Sequence, residues 1–240
     1  MLERHWYLKH CDLFQRLPTD QLVALESRCR LRKFPRGTSV YLPADQADAI
    51  LLLTEGRIKI GSSNEDGKQT ILALIDPGEL FGELALTGST HRDEFAEAAE
   101  NSSVLLIPKE VMEQLLARNP ELAMGITRLI GLRRRRIESR LKYLLFRSNR
   151  ERLIHLLLEL AEQYGVPTAT GIELKVKLSH QALASIIGST RETVTVVLGE
   201  LQSEGRIEVG RRKIVLTDVN FLAGSVDKPV PRLGGLAESS

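Results

Sequence analysis

Residues 179–202, SHQALASIIGSTRETVTVVLGELQ, constrain the fold of this chain more than any other stretch, because their apolar spacing divides into two short helical faces around Gly188. Ser179 is placed to cap a first helix whose apolar face is Leu183, Ile186 and Ile187, while Ala182 and Ala184 leave room for a second helix to approach. Gly188 can take the positive φ of a sharp interhelical turn, and Ser189 or Thr190 can cap the helix that follows. Val194, Val197, Leu198 and Leu201 bury that helix. Its opposite face begins with Arg191 and Glu192 and continues to Thr195 and Val196. The first turn of such a helix can reach base edges in the DNA major groove, where arginine binds guanine O6 and N7 together and glutamate accepts from cytosine N4. The candidate DNA contacts are Ser179, Gln181, Ser189, Thr190, Arg191, Glu192, Thr195 and Val196.

Helical period alone fits an ordinary hairpin with a charged outer face equally well, so the flanking sequence has to separate the two. After Gly205 the chain reads RIEVGRRKIVLTD, two β-prone runs at 207–209 and 213–216 joined by a basic turn. This looks like a winged hairpin, although a solvated surface hairpin has the same composition. Arg211, Arg212 and Lys213 would lie where phosphates run beside a reading helix.

At 240 residues the chain has room for two domains, and 42% hydrophobic with 27% charged residues is a soluble globular composition. No run approaches the roughly 18 apolar residues of a membrane span, and MLERHWYLKH lacks a signal-peptide core, so a cytoplasmic protein without a membrane partner is expected. Cys11 and Cys29 are then expected as reduced thiols. The net charge of +2 hides an arginine-rich stretch at 126–152 and a mainly acidic one at 94–121. The histidines, His5, His10, His91, His155 and His180, are too scattered for a metal-binding facial triad, and no nucleophile motif accompanies them. Neither an enzyme nor a metal site is expected.

Two N-terminal helices are expected, one up to about residue 17 and one over 18–28, entered by Pro18 and capped by Thr19. Short β runs with intervening turns then occupy about 31–107, as in a sandwich, barrel or jelly roll. Helical sequence follows Pro108, and Pro120 fits the first turn of a long helix. Ala123, Ile130, Ile137, Leu141 and Leu144 give that helix a heptad-like seam, which predicts a homodimer. Arg133 to Arg136 cannot all be buried, and a bound anion between helix and β region is one use for them. Another amphipathic helix from Asn149 and a strand-like run at 172–178 lead to the opening motif. The class is α+β, divided into a β-roll domain (1–118), a dimerisation helix (119–147), a winged helix-turn-helix (148–222) and a disordered tail (223–240).

This order of parts resembles the CRP/FNR superfamily of bacterial transcription regulators over about residues 10–220. LSHQALASIIGSTRETV (178–194) and the upstream YGVPTATGIELKVKLSHQ are most similar to the NtcA type, and PGELFGELAL (77–86) followed by Arg92 is similar to the family's phosphate-binding cassette. The resemblance implies a cyclic-nucleotide-binding-like jelly roll, a homodimer on a palindromic site in double-stranded DNA, and RNA polymerase as a further partner. It also implies an effector set of Gly82, Glu83, Leu84, Arg92, Asp93, Arg133 and Glu138, with Gly82 and Glu83 offering backbone N–H groups and a carboxylate and Arg92 an anion contact. The expected ligand is a small anion, a cyclic nucleotide or a 2-oxoglutarate-like acid. This chain departs from the cyclic-AMP pattern at Asp93, Ile137 and Glu138, and from the 2-oxoglutarate pattern at Glu83. The alternative is a constitutive regulator whose Arg92 pairs with Asp93, Glu94 or Glu138. In the reading helix Arg191 and Glu192 match two base-contacting positions, and Val196 replaces an arginine at the third.

Overall fold

A computed structural model describes residues 8, 11–64, 67, 69–176, 178–210 and 213–233. The chain divides into two compact units, Met1–Ile137 and Glu138–Ser240, and the division falls inside its longest helix.

The N-terminal unit carries two four-stranded antiparallel sheets. One has the order β1 (Arg30–Phe34), β8 (Ser102–Pro108), β3 (Ala49–Glu55), β6 (Leu80–Phe81). The other has the order β2 (Ser39–Tyr41), β7 (Phe95–Ala98), β4 (Ile58–Ser63), β5 (Gln69–Ile75). The run AILLL at the start of β3 does not alternate because both of its faces are covered. Leu51 and Leu53 pack with Ile58, Ile60, Ile75, Phe81 and Ala96 between the sheets. Ile50 and Leu52 join a second cluster with Phe14, Leu22, Ile107, Met112 and Ile126. That second cluster seats α1 (Thr19–Arg28), α2 (Lys109–Arg118) and the start of α3 (Pro120–Phe146), each buried large side chain contributing about 1.5–3 kcal/mol.

The first expected helix is helical at Leu8 and gives way to successive turns over residues 11–17, with N–H bonds from Cys11, Phe14 and Leu17 to the carbonyl three residues back, while residues 1–7, 9 and 10 lie outside the described residues. The physical reason is the apolar period: Leu8, Cys11, Phe14 and Leu17 recur every three residues, which matches i to i+3 turns better than a 3.6-residue helix. At α1, Pro18 holds the N-cap position without a side-chain cap, and Thr19 is the first helical residue.

In the C-terminal unit α4 (Asn149–Tyr164) begins with a capping box. Ser148 Oγ accepts from the Glu151 N–H at 3.2 Å, and the Ser148 N–H donates to the Glu151 carboxylate at 2.8 Å. Leu153 to Leu158 are all buried, making α4 the core of this unit. Around it lie α5 (His180–Ile187), α6 (Arg191–Ser203) and a sheet of order β11 (Ile207–Gly210), β12 (Lys213–Leu216), β10 (Gly171–Leu174), β9 (Gly165–Thr168). The strand-like run at 172–178 ends as a strand at Leu174, and β9 was hidden by Pro167, which an edge strand tolerates. The expected tail at 223 starts too early. α7 (Val219–Ser225) crosses that boundary, and Ala223 and Val226 are buried. Residues 234–240 lie outside the described residues. No described helix is long and apolar enough to cross a membrane.

Candidate DNA-reading interface and effector site

Ser179 caps α5, its Oγ accepting from the Ala182 N–H at 3.1 Å. The helix ends at Gly188, whose φ of 66° favours glycine, and a Cβ there would stand 2.7 Å from the end of the Leu144 side chain, which would have to shift. Of the two candidate caps for α6, Thr190 is the one used. Its Oγ1 accepts from the Thr193 N–H at 3.2 Å, while the Ser189 N–H closes the turn on the Ala184 carbonyl at 2.9 Å. Val194, Val197, Leu198 and Leu201 bury the inner side of α6. Arg191, Glu192, Thr195 and Val196 are exposed on the other side, and Arg191 and Glu192 have no side-chain partner among the described residues. Gln181 is exposed on the first turn of α5.

His180 belongs to this surface, although its spacing carried no signal of it. Its Nδ1 lies 2.9 Å from Thr195 Oγ1, and the Thr195 hydroxyl donates to the Arg191 carbonyl at 2.9 Å, joining the two helices at the outer face. In the wing, Gly210 pairs with Lys213 across the hairpin. Arg211 and Arg212 themselves lie outside the described residues. Lys213 is not a free wing cation, because its Nζ lies 3.3 Å from the Glu173 carboxylate, which also holds Lys175 at 2.6 Å.

In the N-terminal unit the effector candidates separate into an inner and an outer set. Gly82, with φ of 68°, opens the 3₁₀ turn Glu83–Thr87, and Gly82, Glu83 and Arg92 are buried together with half-buried Arg133. Leu84 and Asp93 face outward, and Glu138 falls in the C-terminal unit. Arg92 bonds none of the carboxylates expected for it. Its guanidinium donates to the Gly82 carbonyl at 2.8 Å and the Ala49 carbonyl at 2.5 Å, lies 4.6 Å over the Tyr41 ring, and leaves Nε buried without a partner among the described residues. Glu83 is held instead by Arg133, which also donates to the Leu80 carbonyl.

Tyr41, which was missed, completes this cluster with Glu94, expected above as a partner of Arg92. The Tyr41 hydroxyl donates to Glu94 at 2.9 Å, and burial pushes the Glu94 carboxyl above its ordinary range against the opposing effect of that bond. Burial and Glu94 push the phenol up as well. The signal lay in strand parity: Arg92 and Glu94 precede inward-facing Ala96 and Ala98 at alternate positions, and Tyr41 pairs with Ala96.

Two family models match the chain, a cyclic nucleotide-binding domain over residues 31–119 and a Crp-like helix-turn-helix domain over 151–224. The global nitrogen regulator of Nostoc sp. (strain PCC 7120) is 37% identical over 185 residues, covering 76% of this chain and 83% of the relative. The transcriptional regulator SdrP of Thermus thermophilus is 38% identical over 182 residues, covering 75% and 83%. A solved CRP/FNR-family regulator, also from Thermus thermophilus, superposes with a TM-score of 0.68 at 30% identity, over 83% of this chain and 99% of that one. The chain belongs to the CRP/FNR family. It is a DNA-binding transcription regulator, and α5 and α6 are the two helices of its Crp-like motif.

The seam of α3 differs along its length in this family member. Ile130 packs against the N-terminal core and Ala123 is half-buried. Ile137, Leu141 and Leu144 are exposed, together with Leu145 at 67% and Phe146 at 81%. Of the arginine run, Arg133 turns inward to Glu83, while Arg135 and Arg136 are exposed. Cys11 and Cys29 are free, and burial pushes Cys11 to about 11 and Cys29 to about 12, so both stay as thiols at neutral pH. Among the described residues no group of three or more His, Cys, Asp or Glu could hold a metal ion.

Proposed function

We propose that this regulator is a homodimer that reads a palindromic operator with two copies of α6, and that it does so without an effector. The observation that carries the DNA reading is the capped helix start at Thr190 that presents Arg191, Glu192, Thr195 and Val196 outward. Arg191 is assigned to a guanine and Glu192 to a cytosine, with Val196 able to meet a thymine methyl. Ser179, Gln181, Ser189 and Thr190 lie beside them for phosphate contacts, and Arg211 and Arg212 of the wing are assigned the same role. The exposed apolar half of α3, Ile137, Leu141 and Leu144, supports the second copy. Two-fold symmetry then sets half-sites about 34 Å apart, one helical turn of DNA. The protein works in the cytoplasm, with RNA polymerase as its further partner.

Effector independence rests on the inner cluster. Carbonyls occupy Arg92 and Glu83 occupies Arg133, so a cyclic nucleotide or 2-oxoglutarate would have to break bonds the fold already makes. A second reading has its own support, in the match to the cyclic nucleotide-binding domain and in the unbonded Arg92 Nε. There a small anion displaces Glu83 and takes Arg133 and Arg92, with Leu84 and Asp93 at its margin. Selection of binding sites from random duplex at about 0.15 M salt tests the function. The expected result is a two-fold symmetric site. Recovery of no preferred sequence overturns the reading.

A further inference from the structure

A cavity of about 30 Å³ in the C-terminal unit is lined by Tyr143 and Leu144 of α3, His155 and Glu159 of α4, and Ile186 and Ile187 of α5. It lies against the last turn of α5, immediately before Gly188 and the reading helix. His155 is only 5% exposed, and neither Nδ1 nor Nε2 has a hydrogen-bond partner among the described residues. Its ring stacks on Tyr143 with centroids 4.2 Å apart and planes at 19°. A leucine would suit the aliphatic lining, Leu144, Leu156, Ile186 and Ile187, without leaving two buried nitrogens unbonded. The DNA-reading role does not call for the imidazole.

The groups around it decide what a proton would do. Tyr143 faces it from α3 and Arg147 from the link that follows; Glu151, Arg152 and Glu159 come from α4, and Asp227 and Lys228 from the segment after α7. Glu151 is already bonded to Arg147 at 2.9 Å and to Ser148. Arg152 donates to the Arg147 carbonyl at 2.9 Å and the Ile187 carbonyl at 3.2 Å, which ties α5 to this seat. Burial first, then Lys228 and Arg147, holds His155 below the ordinary histidine range, with Glu151 and Asp227 opposing. The cavity has room for one or two water molecules, so a proton can reach the ring without unfolding.

We propose that His155 is a proton-operated latch under the reading motif: neutral, it lets the end of α3 and the end of α5 pack on α4; protonated, it forces that packing apart and weakens DNA binding. The inference rests on the DNA-reading role above. A group whose folded pKa is lowered contributes stability that is fully present above the unfolded value of 6.5 and is lost as pH falls toward the folded value. The latch is therefore closed at neutral pH and opens in mild acid.

The test measures affinity for a selected operator, and the thermal midpoint of the full chain, between about pH 8 and pH 5. His180 bonds Thr195 inside the reading motif, so His180→Gln serves as the background. A roughly tenfold loss of affinity toward acid is expected in that background, and under about twofold when His155→Leu is added. His155→Gln, which also cannot titrate, replaces the leucine variant if that one does not fold. The imidazole resonance of His155 in the unmodified protein should titrate below that of free histidine. The same acid loss in the His155 variants, or a resonance at or above the free value, overturns the latch. Failure to bind any sequence at neutral pH would instead remove the DNA-reading role itself.

Discussion

In the reading motif, Arg191 and Glu192 stand exposed on a helix start with no partner of their own among the described residues, and everything that fixes them lies behind them. In the β roll, Arg92 and Glu83 are 7% and 5% exposed, and each is bonded by the fold. The two regions use the same side-chain chemistry with opposite energetics. An exposed guanidinium keeps its solvation until a base replaces it, whereas a buried one has already exchanged water for carbonyls. The first arrangement is a surface ready for a partner; the second is a closed device whose groups hold strands and helix together.

The largest effect that would break this contrast is expected at Glu83→Ala. It leaves Arg133 half-buried beside the Leu80 carbonyl without its counter-charge, a loss of about 3 kcal/mol in the stability of the β roll, read by thermal or denaturant unfolding. A near-neutral result would mean that the pair is not what closes the site. Arg191→Ala should do the reverse, leaving unfolding unchanged while removing about 1–3 kcal/mol of discrimination at one base pair per half-site, measured by competition between operator variants. Gly188→Ala sharpens the view that α6 is fixed from behind. A left-handed residue with a side chain against Leu144 should cost about 1–2 kcal/mol of stability, and weaken DNA binding without changing which sequence is preferred.

The smallest effect concerns the capping box of α4. Ser148 and Arg147 hold the Glu151 carboxyl at about 2, below its unfolded value of 4.5. Its contribution is therefore present above pH 4.5 and declines as the pH falls toward 2. Glu151→Gln should remove that contribution, lowering stability slightly at neutral pH, since the group is exposed, and flattening the decline between pH 4.5 and 2.

The same contrast explains what could be read from the sequence. The helix pair was legible because its determinants are local: a cap at Ser179, an apolar period, a glycine at 188 and a cap at Thr190 within a few turns. The hairpin at 207–216 was legible for the same reason. The partners of Arg92 were not, because Gly82 and Ala49 are ten and 43 residues away and contribute only carbonyls, which every residue has. Tyr41 and its bond to Glu94 were hidden likewise, the meeting being set by strand register. The N-terminal turns misled through composition, since an apolar repeat of three looks helical until its phase drift is followed over several turns.

The central claim is that the reading surface is ready while the β-roll site is closed. The direct test is the dissociation constant of ligand-free protein for its selected operator, repeated with cyclic AMP, cyclic GMP or 2-oxoglutarate in excess. Sequence-specific binding without ligand, changed by less than about twofold on addition, is the predicted result. Specific binding that emerges only when one of these anions is present would contradict the account.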